Sequence, residues 1–355
     1  MPVFSLRSLL PLLCLFFAPA LNAQVGGIAA YEFLNLPNSA TVAGMGGHHI
    51  ALMDDDLSLA LRNPSLLNPR MDKKFALSHA FHPAGISNSS LAYGTYREKQ
   101  QMTFQAGLQY AGYGGDLTRR DNTGQALGTF SASDYALTVG AARQFEKRLS
   151  VGANLKLVSS QLAGFNSLAI AADAGLHYID TSGLFGISLV ARNFGRQFSK
   201  YDPLSDREPM PFELQIGINK ELRYLPFRFS LIYRYLDRWN VLFDDPNAEN
   251  QPVLLAFGDE VTQRSAGSLL LDNFARHLVF NGELMIGKKR NIRARFGYNH
   301  GIQRELRLTD FRSGAGYTYG FAWRTKRFSI AYGRTTYHLG GGINQLGLDF
   351  GLGKR

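Results

Sequence analysis

The densest group of residues that could do chemistry lies between Ser39 and Pro69, in the stretch SATVAGMGGHHIALMDDDLSLALRNPSLLNP. It contains clustered glycines, the adjacent His48 and His49, three successive aspartates and an Asn-Pro pair. Imidazoles and carboxylates are metal ligands, and glycine-rich loops hold phosphate groups through backbone N–H groups. The stretch therefore raises three hypotheses, which are a metal site, a phosphate-binding loop and a purely structural element.

The spacing of these residues argues against metal and phosphate chemistry. Adjacent side chains on an extended backbone point to opposite sides, which separates His48 from His49. No Lys-Ser or Lys-Thr pair follows the glycines of GMGGHH, as a Walker-type phosphate loop requires. A position near the N-terminus of a helix adequately explains the presence of the three carboxylates. We therefore expect neither a metal nor any other cofactor.

Nucleophilic catalysis has no complete motif in this chain. Ser87 and Ser188 each follow a glycine by two positions, but neither has a glycine two positions later. A hydrolase whose triad comes from different strands stays open as an alternative, because histidines occur in or beside several predicted strands. They are His79, His177, His277 and His300. We expect ordinary structural histidines and no enzyme.

The first 23 residues have the pattern of a secretory signal peptide. Arg7 precedes an apolar run from Leu9 to Phe17, and small residues end at Ala23. The one cysteine, Cys14, lies within this segment. The exported chain, predicted to begin at Gln24, therefore has no thiol for disulfides, for zinc or for catalysis.

Charge and hydropathy exclude two further classes. A net charge of +10 would suit nucleic-acid binding, but an exported chain seldom meets nucleic acid. We expect the excess Lys and Arg in turns and on an enclosed polar face. After the signal peptide, no apolar run approaches the roughly 18 residues that a membrane-spanning helix needs. Helical membrane spans are therefore excluded.

From Lys74 onward the sequence alternates with period two, which is typical of strands with one apolar and one polar face. In RLSVGANLKLVSSQ, for example, Leu155 shares the apolar face and Asn154 the polar face, so we expect arginine to cost more at Leu155 than at Asn154. The predicted strands are 74–82, 88–97, 101–113, 131–145, 148–162, 166–180, 183–194, 211–222, 225–237, 275–288, 290–301, 313–325, 327–338 and 343–353.

The connections between these strands indicate a membrane barrel. Tight turns follow the even-numbered strands, whereas the links after odd-numbered strands are generally longer, the largest being 114–130, 195–210, 238–274 and 302–312. Short turns at one end and long loops at the other are typical of bacterial outer-membrane barrels. In lipid, only a closed sheet satisfies every backbone N–H and C=O with the apolar face outward. We predict an all-β membrane protein, a fourteen-stranded antiparallel barrel, and keep an exported soluble β-protein as the alternative.

The opening stretch precedes the first strand, so it would begin at the mouth of this barrel. Asp56 is placed to cap a short helix, with Asp54 and Asp55 favourable near its positive end. Asn63 and Pro64 are placed to start a second turn. A small, turn-rich segment of mixed polarity could fill a polar lumen.

These residues resemble a known pattern, that of the FadL-like outer-membrane barrels and, within them, the PorV/PorQ group of the type IX secretion system. The matching positions are Asn38, Ala43, Gly44, Gly46, Asp55, Asp56, Ala60, Asn63, Pro64 and Leu67. The resemblance implies a hatch over residues 24–72 inside a transmembrane barrel over 73–355. It further implies an outer-membrane location with both chain ends in the periplasm.

Two functions follow from the resemblance. The first is a non-enzymatic scaffold in an attachment complex, with a PorZ-like surface protein, PorU, PorV-like members and lipopolysaccharide as partners. The alternative is a FadL-like transporter of hydrophobic molecules through a lateral opening. Charged residues at inward positions favour a packed, salt-bridged lumen and hence the scaffold. They are Lys156, Asp173, Glu213, Arg228, Arg234, Glu283, Arg293, Arg295 and Asp349.

The longest loop, from Asn240 to Phe274, contains two apolar clusters. Long barrel loops lie at the outer face, and exposed apolar patches usually mark contact sites. We expect this loop to bind the surface partner, and a lid folded over the pore is the alternative. The candidate contact residues are Leu254, Leu255, Phe257, Leu269 and Leu270.

Overall fold

A computed structural model describes residues 29–115, 117–146, 148–202, 204, 206–242, 266–306, 314–338 and 341–352. The predicted signal peptide, residues 1–23, lies outside these ranges. Fourteen antiparallel strands form a closed barrel, in which β1 pairs with both β2 and the last strand. The barrel strands are β1 (Lys74–Phe81), β2 (Ser87–Arg97), β3 (Met102–Gly112), β6 (Ala132–Phe145), β7 (Leu149–Leu162), β8 (Phe165–Ile179), β9 (Phe185–Ser199), β10 (Glu213–Glu221), β11 (Phe227–Tyr233), β12 (Leu278–Ile286), β13 (Ile292–Asn299), β14 (Tyr317–Arg324), β15 (Phe328–His338) and β16 (Gly341–Gly351).

The predicted number of barrel strands and their two faces are confirmed. Along β7, exposed and buried residues alternate, so that Leu155 is 49% exposed on the outer face and Asn154 is buried on the inner face. Apolar side chains dominate the outer face, as the hydrocarbon region of a membrane requires. Polar side chains turn inward, where they bind other parts of the chain.

The two ends of the barrel differ in their connections. Turns of three to five residues, such as 146–148 and 180–184, join strands at one end, where β1 also begins and β16 ends. The other end has the long links, among them 113–131 and 234–277. One link at that end is short, as the predicted strands 148–162 and 166–180 imply, because only Ala163 and Gly164 join β7 to β8. Both residues have positive φ, which suits a two-residue hairpin turn.

Several elements were not predicted. Within the first long link, β4 (Leu117–Arg120) and β5 (Ala126–Phe130) form a separate two-stranded hairpin. The link after β11 contains helix α2 (Ala266–Arg276), and the link after β13 contains helix α3 (His300–Glu305). A short 3-10 helix, Pro83–Gly85, lies between β1 and β2. None of the helices in the described ranges is long and apolar enough to cross a membrane.

The wall is irregular where β8 meets β9. The pairing register shifts between Leu168 and Ala169 and again between Ala172 and Ala174. Opposite the second shift, Asn193 adopts a positive φ of 56°, so that Arg192 and Asn193, although consecutive, are both buried on the inner side. This is the geometry of a β-bulge, which adds one residue to one strand and bends it.

Residues 29–73, here called the N-terminal segment, precede β1 and are largely buried. They form helix α1 (Ala40–Ala43) and four short 3-10 helices, Glu32–Asn35, Leu57–Leu61, Pro64–Leu66 and Pro69–Met71. Inward side chains from strands on all sides of the ring bind this segment, for example Ser90 of β2, Arg192 of β9 and Thr335 of β15. The segment therefore lies within the ring of strands.

The sequence-based expectation that Asn154→Arg is mild is corrected by this packing. Asn154 is hydrogen-bonded to Gln105 and Asp173, and it also donates to the backbone oxygen of Ala60. An arginine there would displace the N-terminal segment. A valid comparison of two arginine substitutions must therefore use two residues on the outer face of the barrel.

We predict that arginine on the lipid-facing side of β7 destabilises the barrel in proportion to its depth. Leu155 lies at the middle of β7 and Leu149 at its start, and both are exposed on the outer face. Leu155→Arg should lower the free energy of unfolding by about 2 to 4 kcal/mol, and Leu149→Arg by about 0 to 1 kcal/mol. Urea unfolding in lipid vesicles measures both. Equal losses would contradict a membrane-embedded outer face.

Candidate functional site: the barrel interior

Polar side chains fix the turns of the N-terminal segment. Asp56 Oδ1 accepts a hydrogen bond from Ser58 N at 3.1 Å, and Asn63 Oδ1 accepts one from Ser65 N at 3.0 Å. These are the two caps predicted from the sequence, and Pro64 stands at the first position of its helix. Asn63 Nδ2 also donates to Ile50 O, which ties two turns together.

Glycines allow the N-terminal segment to approach the wall closely. Gly46 has a φ of +67°, and its N–H donates to Thr318 Oγ1 at 2.8 Å. A Cβ atom at Gly297 of β13 would overlap Gly46 N, so the two backbones can meet only without side chains. Gly44 lies in the same way against Gly320 of β14.

Two aspartates join this segment to the barrel by ion pairs. Asp54 Oδ2 accepts from Arg293 Nη1 at 2.5 Å and from Arg324 Nη1 at 2.7 Å. Asp55 pairs with Lys74 Nζ at 2.6 Å and also with Arg324. Both aspartates directly precede the helix that Asp56 caps, as expected, and guanidinium and ammonium groups of the barrel hold them in addition.

The electrostatics of Asp54 follow from its surroundings. Burial opposes ionisation of this carboxyl, but the charges of Arg293 and Arg324 outweigh it and lower its pKa. Because the folded-state pKa lies below the ordinary value of about 3.9, the stabilising contribution of the carboxylate is present above that pH. It is lost only as the pH falls through the lowered pKa.

The predicted salt-bridged lumen is confirmed. Arg295 Nε donates to Glu283 at 2.9 Å, and Arg234 Nε donates to Glu213 at 2.6 Å. Other pairs follow the same pattern: Arg228 Nη1 and Arg293 Nη1 also reach Glu283, and Lys156 pairs with Asp173 at 2.8 Å. Asp349 is not one of these pairs and borders a small opening together with Asp55 and Lys74.

The adjacent histidines are buried and neutral. Burial lowers the pKa of His49 to about 3, and burial together with nearby arginines lowers the pKa of His48 well below its usual range. His48 Nδ1 can therefore accept a hydrogen bond from Arg62 Nη2, at 3.0 Å. Among the described residues, no cluster of three acidic or histidine side chains is placed to hold a metal ion.

The other histidines do not complete a catalytic triad. His79 and His177 each bond a serine on the facing strand, Ser89 at 2.8 Å and Ser188 at 2.7 Å. Within the described ranges, neither imidazole is hydrogen-bonded to a carboxylate. His300 contacts Tyr298 and Asp272, while the two nitrogens of His277 face the backbone oxygens of Arg234 and Trp239.

One of the buried apolar clusters inside the described barrel lies near the bulge and is here called the inner apolar cluster. The N-terminal segment contributes Phe33 and Leu34, together with Ala30 and Tyr31. The wall contributes small or branched residues, which are Ala111, Ala136, Val158, Ala169 and Ala171. The last two belong to the part of β8 where the register shifts.

The predicted partner-binding loop is described only in part. Leu254, Leu255 and Phe257 lie outside the described residues, whereas Leu269 and Leu270 belong to α2 and are 36% and 57% exposed. Asp272 accepts from Arg276, Arg304 and His300, which fixes α2 against α3.

Some interior residues had no assigned role in the sequence. Arg192 follows the alternation of β9, so the sequence alone predicts that its side chain faces inward. Arg62 had no such signal, because the N-terminal segment is not periodic. Arg62 contacts Leu36 O and His48 only in the folded protein, and no local sequence pattern indicates these contacts.

The geometry defines a class of protein, a closed fourteen-stranded antiparallel barrel with the fold of outer-membrane channels. The chain is similar to the monoaromatic hydrocarbon channel CymD, with 15% identity, a TM-score of 0.52 and coverage of 90% of this chain and 99% of that one. It is also similar to the ΔS2 mutant of the monoaromatic hydrocarbon channel TodX, with 12% identity, a TM-score of 0.50 and coverage of 89% and 98%. Identities this low show a shared fold. No family model and no curated protein matches the chain.

We predict that Asp54→Asn loosens the N-terminal segment. The change leaves the guanidinium groups of Arg293 and Arg324 buried with less compensating charge, and should lower the free energy of unfolding by about 3 to 5 kcal/mol. Chemical unfolding and protease cleavage within the segment measure the effect. Asp121→Asn, at an exposed turn, is the control. A variant as stable and as protease-resistant as the parent would show that these ion pairs do not hold the segment.

Proposed function

We propose that this chain is an outer-membrane channel for small hydrophobic molecules. The observation that carries the proposal is the position of the inner apolar cluster against the bulge between β8 and β9. A hydrophobic molecule needs an apolar surface inside the barrel and a weak point in the wall beside it. Ala171 belongs to the apolar cluster and lies between the two register shifts.

The similarity to solved structures also supports a channel for small hydrophobic molecules. CymD and TodX, which share the fold, are channels for monoaromatic hydrocarbons. We carry over that substrate class as part of the proposal. Paired charges line other parts of the lumen and would oppose the passage of an apolar solute there.

The N-terminal segment acts in this proposal as a hatch. It contains the motif residues Asn38, Gly44, Gly46, Asp55, Asp56, Asn63 and Pro64, and it fills the ring of strands. Bacterial barrels have their short turns at the periplasmic end. The start of β1 and the end of β16 would therefore face the periplasm, and the hatch would close the lumen to polar solutes.

We predict that a charge within the inner apolar cluster blocks passage. Val158 is fully buried and faces the cluster from β7. Val158→Asp should reduce uptake of radiolabelled toluene, by Gram-negative cells that express the chain, by about tenfold or more, because a penalty of 1.4 kcal/mol already gives tenfold. Heat-modifiable migration in detergent gels checks that the variant barrel assembles.

Val158→Ala is the matched control, because it keeps the site apolar and should retain most of the uptake. Uptake that is equal for the parent, Val158→Asp and cells without the barrel would refute the channel. Uptake that depends on the barrel but not on position 158 would place the path elsewhere in the lumen.

A second candidate is the scaffold role implied by the resemblance to the type IX secretion group. One observation favours it, namely the exposed apolar surface of α2, where Leu270 and Leu271 are 57% and 72% exposed. The partners would be a PorZ-like surface protein with PorU and PorV-like members, near lipopolysaccharide. The packed charges of the lumen suit a barrel that holds partners as well as one that conducts.

For this candidate we predict that Leu270→Asp leaves the barrel assembled and releases a PorZ-like protein from the membrane fraction. The reason is that a buried, unpaired carboxylate would oppose an apolar contact. Immunoblots of membrane and soluble fractions measure the release, with Leu127→Asp in the exposed β5 hairpin as control. Retention of the partner in the Leu270→Asp strain would place the contact outside α2.

A further inference from the structure

A small cavity lies inside the barrel between the N-terminal segment and the wall. Its free space is small and has room for a buried water or a small ion. The charged or polar side chains around it are Asn38, Arg62, Gln109, Thr138, Lys156 and Arg192.

The charges around this cavity do not balance. Lys156 is paired with Asp173, and the nearby Glu213 is paired with Arg234 at 2.6 Å. Arg62 and Arg192, each 1% exposed, have no carboxylate of the described residues within salt-bridge distance. The two buried guanidinium groups therefore share Asp173 and Glu213 with Lys156 and Arg234 and have no direct ion pair of their own among the described residues.

The hydrogen bonds of these two arginines are also incomplete. Arg192 Nη2 donates to Leu34 O at 3.0 Å, but its Nε and Nη1 have no partner among the described residues. Arg62 donates to Leu36 O and to His48, and its Nε has no partner there either. Burial and the charge of Arg192 lower the pKa of Arg62, which reflects the same uncompensated charge.

A buried guanidinium without a counter-ion costs several kcal/mol, because its solvation by water is lost and nothing replaces it. Guanidinium N–H groups cannot give up a proton at ordinary pH, so the charge must be met by a ligand. A water molecule would supply an acceptor but no charge. A monatomic anion is the smallest ligand that supplies a negative charge and accepts hydrogen bonds from both side chains.

We propose that this cavity is a binding site for a single halide ion, chloride in ordinary media, held between Arg62 and Arg192. The ion accepts hydrogen bonds from the free N–H groups of both arginines and balances part of their charge. Since Arg62 belongs to the N-terminal segment and Arg192 to β9, the ion joins the segment to the bulged strand. The site does not depend on what the barrel transports.

The direct test uses bromide, which replaces chloride and is located by its anomalous scattering in a crystal. Crystals of the full barrel grown in sodium bromide should show one strong anomalous peak between Arg62 and Arg192, and crystals of Arg192→Gln should show none there. An anomalous map without a peak at this position, with ordinary density for water, would overturn the proposal.

The second test measures thermal unfolding in chloride and in gluconate at equal ionic strength and pH, because gluconate is too large for the cavity. The parent should unfold at a higher temperature in chloride, since a ligand of the folded state stabilises it. Arg290→Gln is the control. Arg290 follows the end of β12 and pairs with Glu221, and this variant should still unfold at a higher temperature in chloride than in gluconate.

If Arg192→Gln fails to assemble, Asn38→Asp keeps the proposal testable. Asn38 lines the cavity, and its Oδ1 has no partner among the described residues. A carboxylate at this position would act as a built-in anion, so Asn38→Asp should unfold at the same temperature in both salts. A parent protein indifferent to the anion, or an Asn38→Asp variant with the full chloride effect, would overturn the site.

Discussion

Closure of the sheet between β1 and β16 is the constraint on which the rest of the structure depends. Eight residue pairs join these two strands, so that no barrel strand has a free edge. Lipid offers no hydrogen bonds to a backbone, and only a closed ring of strands satisfies all of these groups within itself. The ring then has an inner side that lipid cannot reach. That inner side must be filled by the chain itself.

Paired charges fill most of the interior, and the N-terminal segment supplies some of the partners. Glu283 is shared by Arg228, Arg293 and Arg295, while Asp54 is held by Arg293 and Arg324. A buried charge is tolerated when it has a partner and its hydrogen bonds are met. The network thus fixes the segment in one position, and the inner apolar cluster is confined to the part of the wall that the charges leave free.

The bulge in β9 connects two features that otherwise look unrelated. It turns Arg192 and Asn193 inward together. Asn193 joins the pair of Lys156 and Asp173, with its side chain 2.8 Å from Lys156 Nζ, whereas Arg192 reaches Leu34 of the N-terminal segment. An unbulged strand would present one inward residue at this level. The extra inward residue is Asn193, since Arg192 follows the alternation of β9, and the same irregularity borders the apolar cluster.

The sequence by itself determined the features that are local. Period-two alternation gave the fourteen strands and their faces, and the Asp56 and Asn63 caps were readable because a cap spans only two or three residues. Only the tertiary structure decided which groups meet. Asp54 and Arg293 are 239 positions apart, and Leu34 and Arg192 are 158 apart. The cavity beside Arg62 also arises from contacts between distant parts of the chain. Sequence periodicity reports which face a residue takes, whereas partner choice depends on how the closed ring brings distant faces together.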